Sequence, residues 1–246
     1  MKKWIKRVIL IVCICVFGYS AYNLYTIYSD KKEIEQETEK YKKSALTSKN
    51  KKSYLDPDWE KLQEENQNII AWIYVPDCGI SFPVVQGSDN SYYLTHSADG
   101  SENPRGAIFL DAGADAQFGN DNSLIYGHSV DGGGMFTDLK NFADESFFKK
   151  HPYFYLSTPQ GNYRVNIMVF AKTTDGSVYY TTQFGTEQDS VLQTMQDQAT
   201  FYREVDTTTG HFVTLSTCNL DYGFNSNQRY ILTGVLEPVN EIEITD

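Results

Sequence analysis

A β-rich domain, closed into a barrel or stacked as a sandwich and carried behind an N-terminal membrane anchor, is the fold class this sequence predicts. Three observations predict it. Eight short runs rich in Val, Ile, Tyr and Phe are bounded by Gly, Pro, Asn or Asp. Long helical patterns are few after residue 68, and one uncharged apolar segment sits near the N-terminus. With 246 residues, 41% hydrophobic and 14% aromatic, the chain has globular composition, which excludes disordered, collagen-like and polytopic membrane classes. Four cysteines are too few for a disulfide scaffold. A net charge of −11, a pI near 4.8 and no long basic tract exclude nucleic acid as a partner.

Residues 1–29 hold Lys2, Lys3, Lys6 and Arg7 ahead of 21 residues without a formal charge, 8–28. About 20 residues at 1.5 Å each span a hydrocarbon core, so this is a transmembrane helix. The cations favour a cytoplasmic N-terminus, and Tyr19, Tyr22, Tyr25 and Tyr28 suit the aromatic belt at the outer interface. A cleaved signal peptide has the same general layout, but the run is long and no small-x-small site follows it cleanly. No acid precedes Asp30, so the body of the chain is more acidic than the whole.

Residues 30–54 are charged and nearly free of large apolar side chains, which makes them a tether that cannot bury a core of its own, helical in part through Glu/Lys pairs. Residues 55–246 remain for one folded domain. Asp56 is read as an N-cap with Pro57 at the first helical position, opening a short helix over 58–67. The strand runs are 69–75, 80–85, 106–110, 123–126, 153–156, 163–171, 211–218 and 229–236. Two further helices are expected, 135–148 and 187–202, the latter from the spacing of Val191, Leu192, Met195, Ala199 and Tyr202.

Cys13 and Cys15 lie in the apolar segment, leaving Cys78 and Cys218 in the outer domain. Cys78 is in a Pro-Asp-Cys-Gly turn and Cys218 ends a strand, so nothing in their settings pairs them as a disulfide. On the strand HFVTLSTC, Phe212, Thr214, Ser216 and Cys218 share one face. The ten residues NLDYGFNSNQ lead to RYILTGVL, and an antiparallel return sets Arg229 beside Cys218. A cation there favours thiolate and serves an oxyanion, which points to acyl transfer; an ordinary surface ion pair is the bland alternative for Arg229. The thiol also needs a proton carrier. His128, after an apolar strand and before a Gly-rich turn, is the best placed; His96, His151 and His211 sit in a polar loop, at a helix-to-strand turn and seven residues from the cysteine. No His or Cys pair has a metal-ligand spacing.

TLSTC at a strand end, Arg229 eleven residues on, and an upstream strand ending in Gly127-His128 resemble the sortase family. NIIAWIYVPDCGISFPVVQ, DNSYYLTH and GAIFLD extend the resemblance over nearly the whole outer domain and look like class B sortases, which carry N-terminal helices and a helix inserted before the cysteine strand. The resemblance implies an eight-stranded β-barrel and a membrane-anchored cysteine transpeptidase of Gram-positive bacteria, with its catalytic domain on the extracellular face. It implies no cofactor and no metal. In that reading Cys218 attacks the threonine carbonyl of a C-terminal sorting motif, His128 protonates the departing nitrogen, and Arg229 holds substrate or the oxyanion. Ser216 and Thr217 are lesser, substrate-binding contributors. The implied partners are surface proteins bearing the motif, often of Asn-Pro-x-Thr type, and a peptidoglycan amine. Asp111 and Asp221 are the carboxylates available as a third catalytic member, if strand-turn geometry sets one beside His128. The alternative function is a secreted, membrane-anchored cysteine peptidase or amidase using the same Cys/His pair; a silent adhesin is weaker.

Overall fold

The computed structural model describes residues 3–49, 52–130, 133–223 and 226–244. Residues 131–132 of the Gly-rich turn, 224–225 of the loop after Cys218, Lys2 of the basic start and 50–51 of the tether lie outside them. In chain order the elements are α1 (Lys3–Ala45), β1 (Leu46–Lys49), β2 (Lys52–Leu55), α2 (Trp59–Glu65), β3 (Ile69–Val75), β4 (Ile80–Val85), β5 (Ile108–Leu110), β6 (Asn122–Tyr126), α3 (Glu145–Lys150), β7 (Tyr153–Thr158), β8 (Gly161–Thr174), α4 (Gln188–Asp197), β9 (Phe201–Tyr202), β10 (Phe212–Cys218), β11 (Gln228–Val239) and β12 (Ile242–Ile244). All eight expected strand runs form, as β3 to β8, β10 and β11.

Those eight pair in the order β11-β10-β6-β5-β4-β3-β7-β8, and β8 returns to pair with β11, so the sheet closes into a barrel and the sandwich is excluded. Closure removes the exposed edges that an open sheet would present. The β8–β11 seam is antiparallel and runs from Gln228↔Thr174 to Val239↔Asn162. Its register shifts between Thr233 and Gly234, where a Cβ on Gly234 would stand 2.6 Å from the Asn166 carbonyl oxygen. Glycine is therefore required for the two backbones to approach at this bulge.

The strands read as near-continuous apolar runs because both faces are covered. Ile73, Val75, Phe82, Val84, Val213 and Leu215 fill the barrel. On the outside, Trp72 and Tyr74 pack with Leu62 of α2, Leu55 of β2 and Ile242 of β12. A second outer layer sets Met195 of α4, Tyr179 and Phe184 over Phe212, Ile231 and Val235. Each fully buried side chain of this size contributes about 1.5–3 kcal/mol, so these layers fix the strand ends that carry the chemistry.

Five local expectations are corrected. Helix α1 continues through residue 45 with a Lys31–Glu35 ion pair on its exposed surface, so more of the tether is helical than the sequence reading allowed. Residues 46–55 are not free chain but a hairpin: β2 pairs with β12, Ala45 and Leu55 are buried, and Lys52 meets Glu243 at 2.8 Å. The pairing strand comes from the far end of the chain, which local composition does not reveal. The cap of α2 is Asp58, whose side chain accepts from the Lys61 amide, rather than Asp56. The expected helix 135–148 is split into a 3₁₀ segment, Thr137–Ala143, and α3, because Asp144 takes an extended conformation and caps α3 through the Phe147 amide. Likewise the expected helix 187–202 stops at Asp197, and its last residues form β9 against β8.

Candidate active site

Cys218 is the last residue of β10, half-buried where the strand leaves the barrel. Its cross-strand partner in the antiparallel β10–β11 ladder is Arg229, so thiol and guanidinium stand opposite each other on one face, as the sequence reading expected. On its other side β10 pairs in parallel with β6, ending at Ser216↔Tyr126. The next amide, that of Gly127, still donates to the Ser216 carbonyl at 3.2 Å, which carries His128 alongside the end of the cysteine strand.

A cleft of about 310 Å³ opens there, lined by Cys218, His128 and Arg229 together with Ser216, Thr217, Leu94, Tyr180 and Asp175. The structure thus brings all five expected site residues to one cavity. Ser216 and Thr217 diverge within it. The Ser216 hydroxyl lies 2.6 Å from the Tyr180 hydroxyl, whereas the Thr217 hydroxyl is buried against that of Ser129 at 2.9 Å. Burial pushes the Tyr180 phenol above its ordinary value, opposed by its bond to Ser216.

His128 is held from two directions. Its carbonyl accepts from the Phe136 amide at 3.0 Å, and its Nε2 donates to the Leu94 carbonyl at 3.0 Å. A carbonyl can only accept, so the proton sits on Nε2 and the lone pair of the neutral ring is on Nδ1. Neither carboxylate considered as a third member bonds this ring. Asp111 accepts from Asn90 and Tyr126, and Asp221 accepts from Tyr230, whose phenol is pushed up to about 12 by burial first and Asp221 second. The other histidines are committed elsewhere: His96 stacks on Tyr92, His151 bonds Asp77 and the Phe147 carbonyl, and His211 bonds the Asn120 carbonyl. Cys78 and Cys218 are not bridged; Cys78 is buried in the barrel core with its sulfur 3.7 Å from the Asp138 carbonyl.

Arg229 is more constrained than a surface arginine. Nη1 donates to the Ser226 and Gln228 carbonyls at 2.8 and 2.9 Å, and Nη2 donates to Asp175 at 3.1 Å. Asp175 and Tyr180 were missed by sequence reasoning. They lie in TTDGSVYY, which reads as an ordinary turn, and only the closure of β8 onto β11 brings them to the site.

A thiol, an imidazole and a guanidinium gathered at one barrel end define a cysteine-dependent acyl-transfer class of site. The sortase domain model matches residues 73–237 of this chain. Sortase B of Listeria monocytogenes is 28% identical over 243 residues, covering 96% of this chain and 98% of the relative. Sortase B of Staphylococcus aureus is 26% identical over 242 residues with the same coverage. Among solved structures, sortase B from Bacillus anthracis superposes with a TM-score of 0.72 at 30% identity, covering 86% of this chain and 98% of that one. A Streptococcus pyogenes class B sortase involved in pilus biogenesis gives 0.66 at 31% identity, covering 73% and 98%. The chain belongs to the sortase family and is class B-like, and it is a cysteine transpeptidase. Its segment Lys3–Ser29 is long and apolar enough to cross a membrane and is the candidate anchor of a cell-envelope enzyme.

Proposed function

We propose that this transpeptidase cleaves a C-terminal sorting motif after threonine, holds the acyl group as a thioester on Cys218, and transfers it to a peptidoglycan amine. The cross-strand pairing of Cys218 with Arg229 is the observation that carries the reading. The thiolate attacks the threonine carbonyl, and the guanidinium balances the charge developing on its oxygen. The S–C bond forms, the C–N bond breaks, and imidazolium His128 gives its proton to the leaving amine. The acceptor amine then forms the new C–N bond, returns its proton to His128, and releases the thiolate. Ser216 and Thr217 border the acyl group in the cleft.

The surface protein is thereby joined to the wall by an enzyme whose residues 1–29 anchor it in the membrane. Four cations ahead of the span support a cytoplasmic N-terminus, with the catalytic domain, 55–246 joined by the hairpin 46–55, outside and the rest of α1 leading to it from the bilayer.

The test is intact-mass analysis of the full chain in detergent micelles with a panel of pentapeptides, Asn-Pro-x-Thr types included, with and without an amine acceptor. The expected result is an adduct on Cys218 matching cleavage after threonine, discharged faster by amine and absent in Cys218→Ala. Hydrolysis at a rate indifferent to amine would refute the transfer reading in favour of the peptidase or amidase.

A further inference from the structure

We infer that Asp175 is a positioning residue for Arg229, and that it fixes which two guanidinium protons face the reacting acyl group. The inference rests on the proposed role of Arg229. Asp175 follows β8 directly, and the β8–β11 seam sets Arg229 opposite Thr173 and Gln228 opposite Thr174. The Asp175 amide donates to the Asn227 carbonyl at 2.9 Å, so its backbone is tied to the entry of β11. Its carboxylate then reaches Arg229 Nη2 at 3.1 Å, and both side chains line the cleft that holds Cys218.

The proton count gives the pairing its consequence. A guanidinium has five N–H donors in a rigid plane. Both Nη1 protons have backbone carbonyls, and one Nη2 proton has Asp175. Among the described residues, one Nη2 proton and the Nε proton remain for a substrate oxygen. The two carbonyls hold only the Nη1 corner; the carboxylate at Nη2 supplies the further point that stops the plane from rocking. Stability is not what the pair is for. The Asp175 side chain is 51% exposed and that of Arg229 19%, and an ion pair with one partner so open contributes little to folding.

Full chain in micelles is assayed with whichever panel peptide the wild type transfers, comparing Asp175→Ala, Asp175→Asn, Asp175→Glu, Arg229→Ala and the double variant Asp175→Ala/Arg229→Ala. Loss of position at the acyl oxygen is expected to lower kcat about tenfold or more in Asp175→Ala with KM changed less than about twofold. Partial rescue is expected in Asp175→Asn and Asp175→Glu. In the Arg229→Ala background the same Asp175→Ala change is expected to have less than about a twofold effect, because its target is gone. A second readout needs no substrate: in ¹⁵N spectra the Arg229 Nη signals, assigned by their loss in Arg229→Lys, are separate in wild type and averaged in Asp175→Ala. An undiminished kcat in Asp175→Ala, an equal loss in the Arg229→Ala background, or Nη signals unchanged by the substitution would each overturn the inference. Failure of the underlying reading shows differently, as full activity in Arg229→Ala or in Cys218→Ala.

Discussion

Gly127 stands between the end of β6 and His128, and adding a single methyl group there tests whether close packing holds the imidazole in place. A Cβ at residue 127 would lie 2.7 Å from Cδ2 and 2.8 Å from Cγ of Phe136. Carbon atoms sit comfortably at about 3.5–4.0 Å, so Gly127→Ala creates an overlap of roughly 1 Å. Phe136 is fully buried in the barrel core, so its ring has no room to turn away and the backbone must give. Overpacking of this kind costs about 1–3 kcal/mol, or about 3–10 °C in melting temperature for a chain of this size. The same movement strains the Gly127 amide to Ser216 carbonyl bond and the Phe136 amide to His128 carbonyl bond, which together set the ring. A shift near 1 Å at a catalytic group is expected to lower the transfer rate about tenfold or more. Thermal melting by near-ultraviolet circular dichroism reads the first effect, and peptide transfer to amine reads the second. Gly127→Ala/Phe136→Leu, which removes the ring edge, is expected to recover part of both. A single variant melting within about 1 °C of wild type at full rate would refute the reasoning.

Met195 is the buried anchor of α4, and Met195→Ala is expected to cost about 2–5 kcal/mol in urea unfolding; a loss below about 1 kcal/mol would mean that α4 does not seal the outer layer. Glu237 is held below its ordinary carboxylate value by the hydrogen bond from Arg164 and then that from Asn166. Its lowered value adds stability above the ordinary range, and that stability is lost as pH falls through the lowered one. The melting difference between wild type and Glu237→Gln should therefore be present at about pH 7 and shrink as the pH is lowered below the ordinary carboxylate range, and a difference that grows on acidification would reverse the sign argued here. Deleting residues 3–29 is expected to move the protein out of the carbonate-washed membrane fraction, and retention there would show that another surface binds the bilayer.

The strands were legible in the sequence because their runs are short, apolar and punctuated, and the Cys218–Arg229 pairing was legible because a ten-residue connection returns β11 along its neighbour. Less local features were not. Whether β8 closes on β11 or leaves two stacked sheets is decided by contacts between residues some sixty positions apart, such as Thr173 with Arg229. The hairpin of residues 46–55 shows almost no apolar signal, since its partner is β12 and its buried contacts are Ala45, Leu55 and Ile242. Helical spacing over 135–148 reads the same whether the segment is one helix or a 3₁₀ turn followed by α3, and only the extended Asp144 divides it. Asp175 and Tyr180 have no local signature at all. A turn aspartate and a turn tyrosine acquire their roles from what the closed barrel sets against them.

The long seam between β8 and β11 also determines when the site comes into being. Synthesis runs from the amino end, so Cys218 emerges from the ribosome before Arg229, and the strand carrying Arg229 is the one that closes the barrel. A nascent chain halted before Gln228 has its nucleophile without the guanidinium opposite it. The same single pairing event that completes the fold also sets the guanidinium opposite the thiol, so an unfinished molecule lacks that pair.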